Sequence, residues 1–286
     1  MLAFFITLFK ITFIQLAAIF GIFFIFGFIL SKLQEWTQKK YYQTVSWKGI
    51  LWTAWLGTPF HEFSHYFFAK IFRHKVQSFH IFKPNQATGE LGHLNHTYNK
   101  YSLYQNIGNF FIGIAPMIFG SLMLVLLLYL FVPNGRDIFS PLQNINNLLD
   151  YIFIGFAKTF INLFNLANLK SWNFWLFLYL SFCIASHLAP SKADRKNMRS
   201  GFFYIITALL LINIFSLLFK LDTIGFVLKI SKYLGIFSAI FLYATIISII
   251  HFLTAYIILS FINKAKNHWS ALYWFKTSDT LWLKIN

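Results

Sequence analysis

Residues 49–72 read Gly49-Ile50-Leu51-Trp52-Thr53-Ala54-Trp55-Leu56-Gly57-Thr58-Pro59-Phe60-His61-Glu62-Phe63-Ser64-His65-Tyr66-Phe67-Phe68-Ala69-Lys70-Ile71-Phe72. A helix needs about 20 mostly apolar residues to cross the hydrocarbon core of a bilayer, and this run supplies them. It also carries Glu62 between two histidines. A carboxylate at the centre of a span costs about 2.5–3.5 kcal/mol on insertion scales. The chain has only eight acidic residues, and Glu62 is the one that falls inside a strong apolar run. An ionisable group kept there points to function rather than packing.

Outward from this run, further apolar stretches fit spanning helices: Ala3–Leu30, Tyr104–Val132, Trp172–Ala189, Gly201–Phe219 and Tyr233–Ile262. Leu149–Leu166 is shorter and carries Lys158 and Asn162, so it reads as a span, a re-entrant segment or an interfacial helix. The expected fold class is an all-α membrane protein, a helical bundle of six or seven spans. Between spans two and three, Gln77-Ser78-Phe79-His80-Ile81-Phe82 alternates polar and apolar residues. Pro84-Asn85 and Thr88-Gly89 follow, which predicts a strand, a turn and a short hairpin. We divide the chain into residues 1–48 (first span and basic loop), 49–201 (a catalytic membrane core) and 202–286 (C-terminal spans and an interfacial tail).

Composition agrees. The chain is 58% apolar and 11% charged, with 38 phenylalanines, where a soluble domain has about 25% charged residues. The net charge of +16 sits at span ends and in loops, where it meets anionic head groups and sets topology. No basic stretch is interleaved with a polar domain able to bind nucleic acid. The lone cysteine, Cys183, cannot form an intramolecular disulfide. The expected location is multi-pass, in a bacterial cell membrane. The distribution of lysine and arginine favours a cytoplasmic C-terminus.

The chemistry lies in His61-Glu62-Phe63-Ser64-His65. Histidines at i and i+4 share one helix face, so both imidazoles can reach one tetrahedral Zn²⁺. Glu62, beside the first of them, is placed to take a proton from water activated by that metal. Thr58 and Pro59 suit a helix start just before the motif. Two histidines hydrogen-bonded to Glu62 without metal would be the structural alternative.

The motif resembles the site-2 protease family of membrane-embedded zinc metallopeptidases. Two further stretches are similar to that family. Leu103-Tyr104-Gln105-Asn106-Ile107-Gly108-Asn109-Phe110-Phe111-Ile112-Gly113-Ile114-Ala115-Pro116 looks like the Asn/Gly/Pro-containing helix that follows its zinc helix. Ser186-His187-Leu188-Ala189-Pro190-Ser191-Lys192-Ala193-Asp194 is similar to the place where it supplies an Asp as third ligand. The resemblance implies Asp194 as that ligand, with His187 as the alternative. Asp194 departs from the family's usual Leu-Asp-Gly context, and Ser191 before it suits a helix N-cap, so Asp194 reads either as a ligand or as part of a cap. Asn109 or Asn106 reads as a donor to substrate or to the tetrahedral intermediate, or as an interhelical hydrogen bond. His74, His80, His93 and His96 read as surface or interfacial groups, and His251 as a core histidine or a functional one.

The implied activity is hydrolysis of peptide bonds in transmembrane protein substrates, with membrane lipids as surroundings. A transporter or metal-handling protein with a structural zinc site is the alternative, and a zinc enzyme acting on a lipid or small molecule is a third. An intact Glu62 weighs against a purely structural site, which needs no base.

Overall fold

The computed structural model describes residues 1–138, 148–221 and 223–282, with backbone alone for 148–153, 155–156, 223–224, 226–236 and 267–282. The chain is mostly helical. Among the described residues, four helices are long and apolar enough to cross a membrane.

The first helix, α1 (Leu2–Ile71), is broken at Ser46, which has φ 59° and ψ −156°. At a rise of 1.5 Å per residue, its 70 residues would reach about 105 Å if straight, over three times the apolar thickness of a bilayer. The break lets the two parts take different directions. Ser46 occupies backbone space that is essentially glycine's. The expected spans Ala3–Leu30 and Gly49–Phe72 thus lie on either side of this break. The anticipated helix start at Thr58 is a correction: α1 runs through Pro59, and the interruption comes well before it. Pro59 still withholds one backbone donor from the preceding turn.

After α1, strands β1 (Lys75–His80) and β2 (His93–Thr97) pair antiparallel, with His80 opposite His93 and Val76 opposite His96. Gly89 takes φ +74° in the turn between them. Helix α2 (Leu103–Phe131) is capped by Ser102, whose hydroxyl accepts from the Gln105 N–H. Then come α3 (Leu148–Leu163), α4 (Leu166–Lys170) and α5 (Trp172–Ala185). Helices α6 (Lys192–Leu218) and α7 (Thr223–Trp282) follow. The expected interfacial tail lies outside the described side chains from residue 267 onward.

The core joins α1, α2, α5, α6 and α7. Phe110 of α2 packs edge-on against Phe20 of α1 at 5.2 Å, and Phe24 meets Phe202 of α6 at 4.9 Å. A buried polar clamp ties α1 to α6: Asn213 donates to Gln15 and Thr12 at 2.7 and 2.9 Å, and Gln15 donates back at 3.1 Å. Large apolar side chains face outward along α1 (Phe9, Phe13, Phe28) and α6 (Leu211, Phe215). In water such a belt would drive association; in a bilayer it is the lipid face.

Candidate metal centre

Two helices converge on one point. His61 and His65 lie one turn apart on α1, and Asp194 enters from the first turn of α6. The two Nε2 atoms are 3.1 Å apart. Asp194 Oδ2 is 3.4 Å from His61 Nε2, and its Oδ1 is 3.2 Å from His65 Nε2. Among the described residues, these three form the one cluster of histidine, cysteine and acidic side chains that could hold a metal ion.

The far side of each imidazole is tied down. His61 Nδ1 donates to the His187 carbonyl at 2.7 Å, and His65 Nδ1 donates to the Ile112 carbonyl at 2.7 Å. A carbonyl only accepts, so each Nδ1 carries a proton and each ring turns its Nε2 inward. Backbone acceptors behind metal-ligating histidines fix ring orientation in this way. Two Nε2 atoms and a carboxylate therefore face one point, which a proton or a cation can occupy between them.

Asp194 forms the cap that its sequence context suggested, and the same carboxylate also faces the two histidines. Ser191 and Asp194 form a capping box at the start of α6: the Ser191 N–H donates to Asp194 Oδ2 at 2.7 Å, and the Asp194 N–H donates to Ser191 Oγ at 3.2 Å. The cap holds the carboxylate toward the histidines rather than competing with that placement. His187 contributes its backbone carbonyl to His61, while its ring Nδ1 meets Ser186 Oγ at 2.8 Å. Its ring stands outside the cluster.

Close helix approaches set these distances. A Cβ on Gly113 of α2 would lie 2.8 Å from the Asp194 carbonyl, and one on Gly57 of α1 would lie 2.6 Å from His187 Nδ1 and collide with the Cys183 carbonyl. Backbone cannot yield as a flexible side chain can. Gly57→Ala is expected to push α5 from α1, destabilising the protein by about 1–3 kcal/mol and withdrawing the carbonyl behind His61. Thermal unfolding in detergent checks this; an unchanged melting temperature would mean the helices part at little cost.

Glu62 is buried beside this cluster. The strand pair covers it: a Cβ on Gly92, just before β2, would lie 2.9 Å from Glu62 Cγ and 2.8 Å from the His80 carbonyl. The covering segment is rich in histidine, which corrects the surface reading of His74. His74 is buried, with Nε2 donating to the Gln105 carbonyl at 2.9 Å and Nδ1 2.9 Å from His96 Nδ1. His80 Nδ1 lies 3.1 Å from His93 Nε2, and His93 Nδ1 lies 3.0 Å from Glu90. Only the position of His74 directly after the helix hinted at this. His251 is a satisfied core histidine, 3.1 Å from the Tyr41 hydroxyl and stacked on Phe182.

Burial first, and then the neighbouring His74, holds the His96 imidazole down to about 4 from its ordinary 6.5; burial also lowers His74. The unfolded chain takes up these protons near pH 6.5 and the folded chain only lower. Stability from this pair is therefore complete above pH 6.5 and declines as pH falls toward 4. His96→Gln is expected to flatten that part of the melting-temperature profile. A profile identical to wild type would show that His96 titrates normally.

The two asparagines differ. Asn106 donates to the Lys100 and Ser102 carbonyls at 2.8 Å each, closing the start of α2. Asn109 is buried with neither its amide nitrogen nor its oxygen hydrogen-bonded. It lies one turn before Ile112 and Gly113, on the face of α2 that meets His65 and Asp194. No protein-family model, curated protein or solved structure matches the chain.

Proposed function

We propose that this chain is an intramembrane zinc metallopeptidase of the site-2 protease type. The observation that carries the reading is the convergence of His61 Nε2, His65 Nε2 and Asp194 in an apolar bundle, with both Nδ1 atoms tied to carbonyls. Zinc–nitrogen and zinc–oxygen bonds of about 2.0–2.1 Å set tetrahedral edges near 3.3 Å. The separations of 3.1, 3.2 and 3.4 Å fit those edges. Two imidazoles and one carboxylate are also a donor set typical of catalytic zinc, which keeps a fourth position open.

His61, His65 and Asp194 would hold the ion. When bound, zinc polarises a carbonyl and lowers the pKa of water to about 7. Glu62 then accepts the proton of the attacking water on its carboxylate and returns it to the leaving amine. Asn109, with donor and acceptor both unsatisfied, is suited to bind the substrate backbone or the developing oxyanion; Asn106 is occupied in its own helix turn.

The substrate is a transmembrane protein segment, locally unwound, since peptide bonds in a helix are internally paired. The β1–β2 pair beside Glu62 offers an edge to which an extended substrate can add a strand. In this topology the parts of α1 before and after Ser46 are separate crossings. They join α2, α5, α6 and the apolar part of α7 in a six-span bundle, or seven with α3, in a bacterial cell membrane.

The test is cleavage of a quenched transmembrane peptide by zinc-loaded protein in detergent. Chelator-sensitive cleavage supports the reading. Stoichiometric zinc without hydrolysis of any membrane peptide would favour the metal-handling alternative.

A further inference from the structure

A cleft of about 960 Å³ opens between α1, α2 and the start of α6. That is at the upper end of the roughly 300–1,000 Å³ usual for small-molecule sites. Its two ends differ in chemistry. One is apolar, walled by Phe23, Phe24 and Phe28 of α1, Met117 of α2 and Met198 of α6. Gly27 leaves the room here: the nearest atom to a Cβ built on it is Met117 Sδ, at 3.6 Å. The other end is cationic. Lys32, Lys39, Lys192, Arg195 and Arg199 line it, against one described carboxylate, Glu35, which pairs with Lys32 at 3.0 Å.

Lys192, Arg195 and Arg199 are spaced i, i+3 and i+7, so they share one face of α6. With Lys196 they also line an adjoining pocket of about 270 Å³. Arg195 is held in place by bonds to the Pro190 carbonyl at 2.8 Å and Ser31 Oγ at 3.5 Å. The glutamines in the wall are already used within the protein: Gln34 accepts from the Ala189 N–H, and Gln38 donates to the Ser186 carbonyl. The cleft therefore offers cations at one end and hydrocarbon at the other.

We propose that this cleft binds an anionic phospholipid, its phosphate against Lys39, Lys192 and Arg199 and an acyl chain between the α1 phenylalanines and Met117. A free phosphate would satisfy the cationic rim and leave the apolar end unfilled. An extended peptide threaded into the apolar end would leave its backbone groups without partners. Basic pockets between membrane helices are established sites for anionic head groups. The proposal does not depend on hydrolytic activity.

Native mass spectrometry of the full chain in a neutral detergent tests it, with dioleoylphosphatidylglycerol, dioleoylphosphatidylcholine and inorganic phosphate as probes. Phosphatidylglycerol is expected to bind at least about tenfold more tightly than phosphatidylcholine. Combining Lys39→Gln, Lys192→Gln and Arg199→Gln should weaken it by about a hundredfold. Gly27→Leu, which fills the apolar end and leaves every cation in place, should weaken phosphatidylglycerol binding and leave inorganic phosphate unaffected. Equal affinity for the two lipids overturns the proposal. So does phosphatidylglycerol binding that survives both sets of substitutions, or a cleft that takes inorganic phosphate or an acidic membrane peptide in preference to the lipid.

Discussion

Glu62→Gln is expected to keep its metal and its fold while losing hydrolysis of a transmembrane peptide by about 100- to 10,000-fold, the usual contribution of a positioned general base. The substitution is close to isosteric. It leaves the α1 backbone, the two histidines and the packing of Gly92 against the side chain as they are. What it removes is a carboxylate able to receive a proton, because an amide oxygen is far too weak a base. Glu62 is buried under the strand pair, so bulk water cannot readily supply a substitute base at the same place. Metal content, melting temperature and cleavage rate must be read together. Lost cleavage with about one zinc per chain and an unchanged melting temperature supports the assignment. Cleavage near the wild-type rate would remove Glu62 from the mechanism, and joint loss of zinc and activity would make it a structural neighbour of the metal.

Much of this arrangement is legible in the sequence because it is local. The i, i+4 spacing of His61 and His65 fixes their shared face in any helix, and apolar run length marks the bundle without reference to packing. The strand and turn after residue 74 are also local signals, carried by alternation and by Thr88-Gly89. Contacts between elements are not local. Nothing in Ser46 announces that α1 breaks there, since serine is an ordinary helix residue. The sequence offered Asp194 as cap or ligand. Its carboxylate caps α6 through Oδ2 and faces both histidines, which shows only when α6 is placed against α1. The carbonyls of His187 and Ile112 behind His61 and His65 could not be found from side-chain identity, because a backbone acceptor has no sequence signature.

Asp194→Asn is expected to empty the proposed zinc site, and because the same carboxylate caps α6, the experiment is discriminating. Loss of a partner that merely orients a ligand typically costs 10- to 100-fold in metal affinity. Loss of a ligand should therefore exceed about 100-fold, leaving little zinc after dialysis against a weak chelator. Asparagine keeps an oxygen that can accept from the Ser191 N–H, so the capping box of α6 survives in large part while the anionic donor is gone. Ser191→Ala does the reverse: it removes the hydroxyl that accepts from the Asp194 N–H, costs about 1 kcal/mol of stability and should leave zinc bound. His61→Ala and His65→Ala should match Asp194→Asn in losing metal. His187→Gln should retain it, because His187 serves His61 through its carbonyl and a glutamine backbone has the same one. Zinc analysis of these five variants separates ligand from cap and ring from backbone. If His187→Gln loses the metal while Asp194→Asn keeps it, the third ligand is the His187 imidazole, and the Asp194 carboxylate belongs to the helix cap alone.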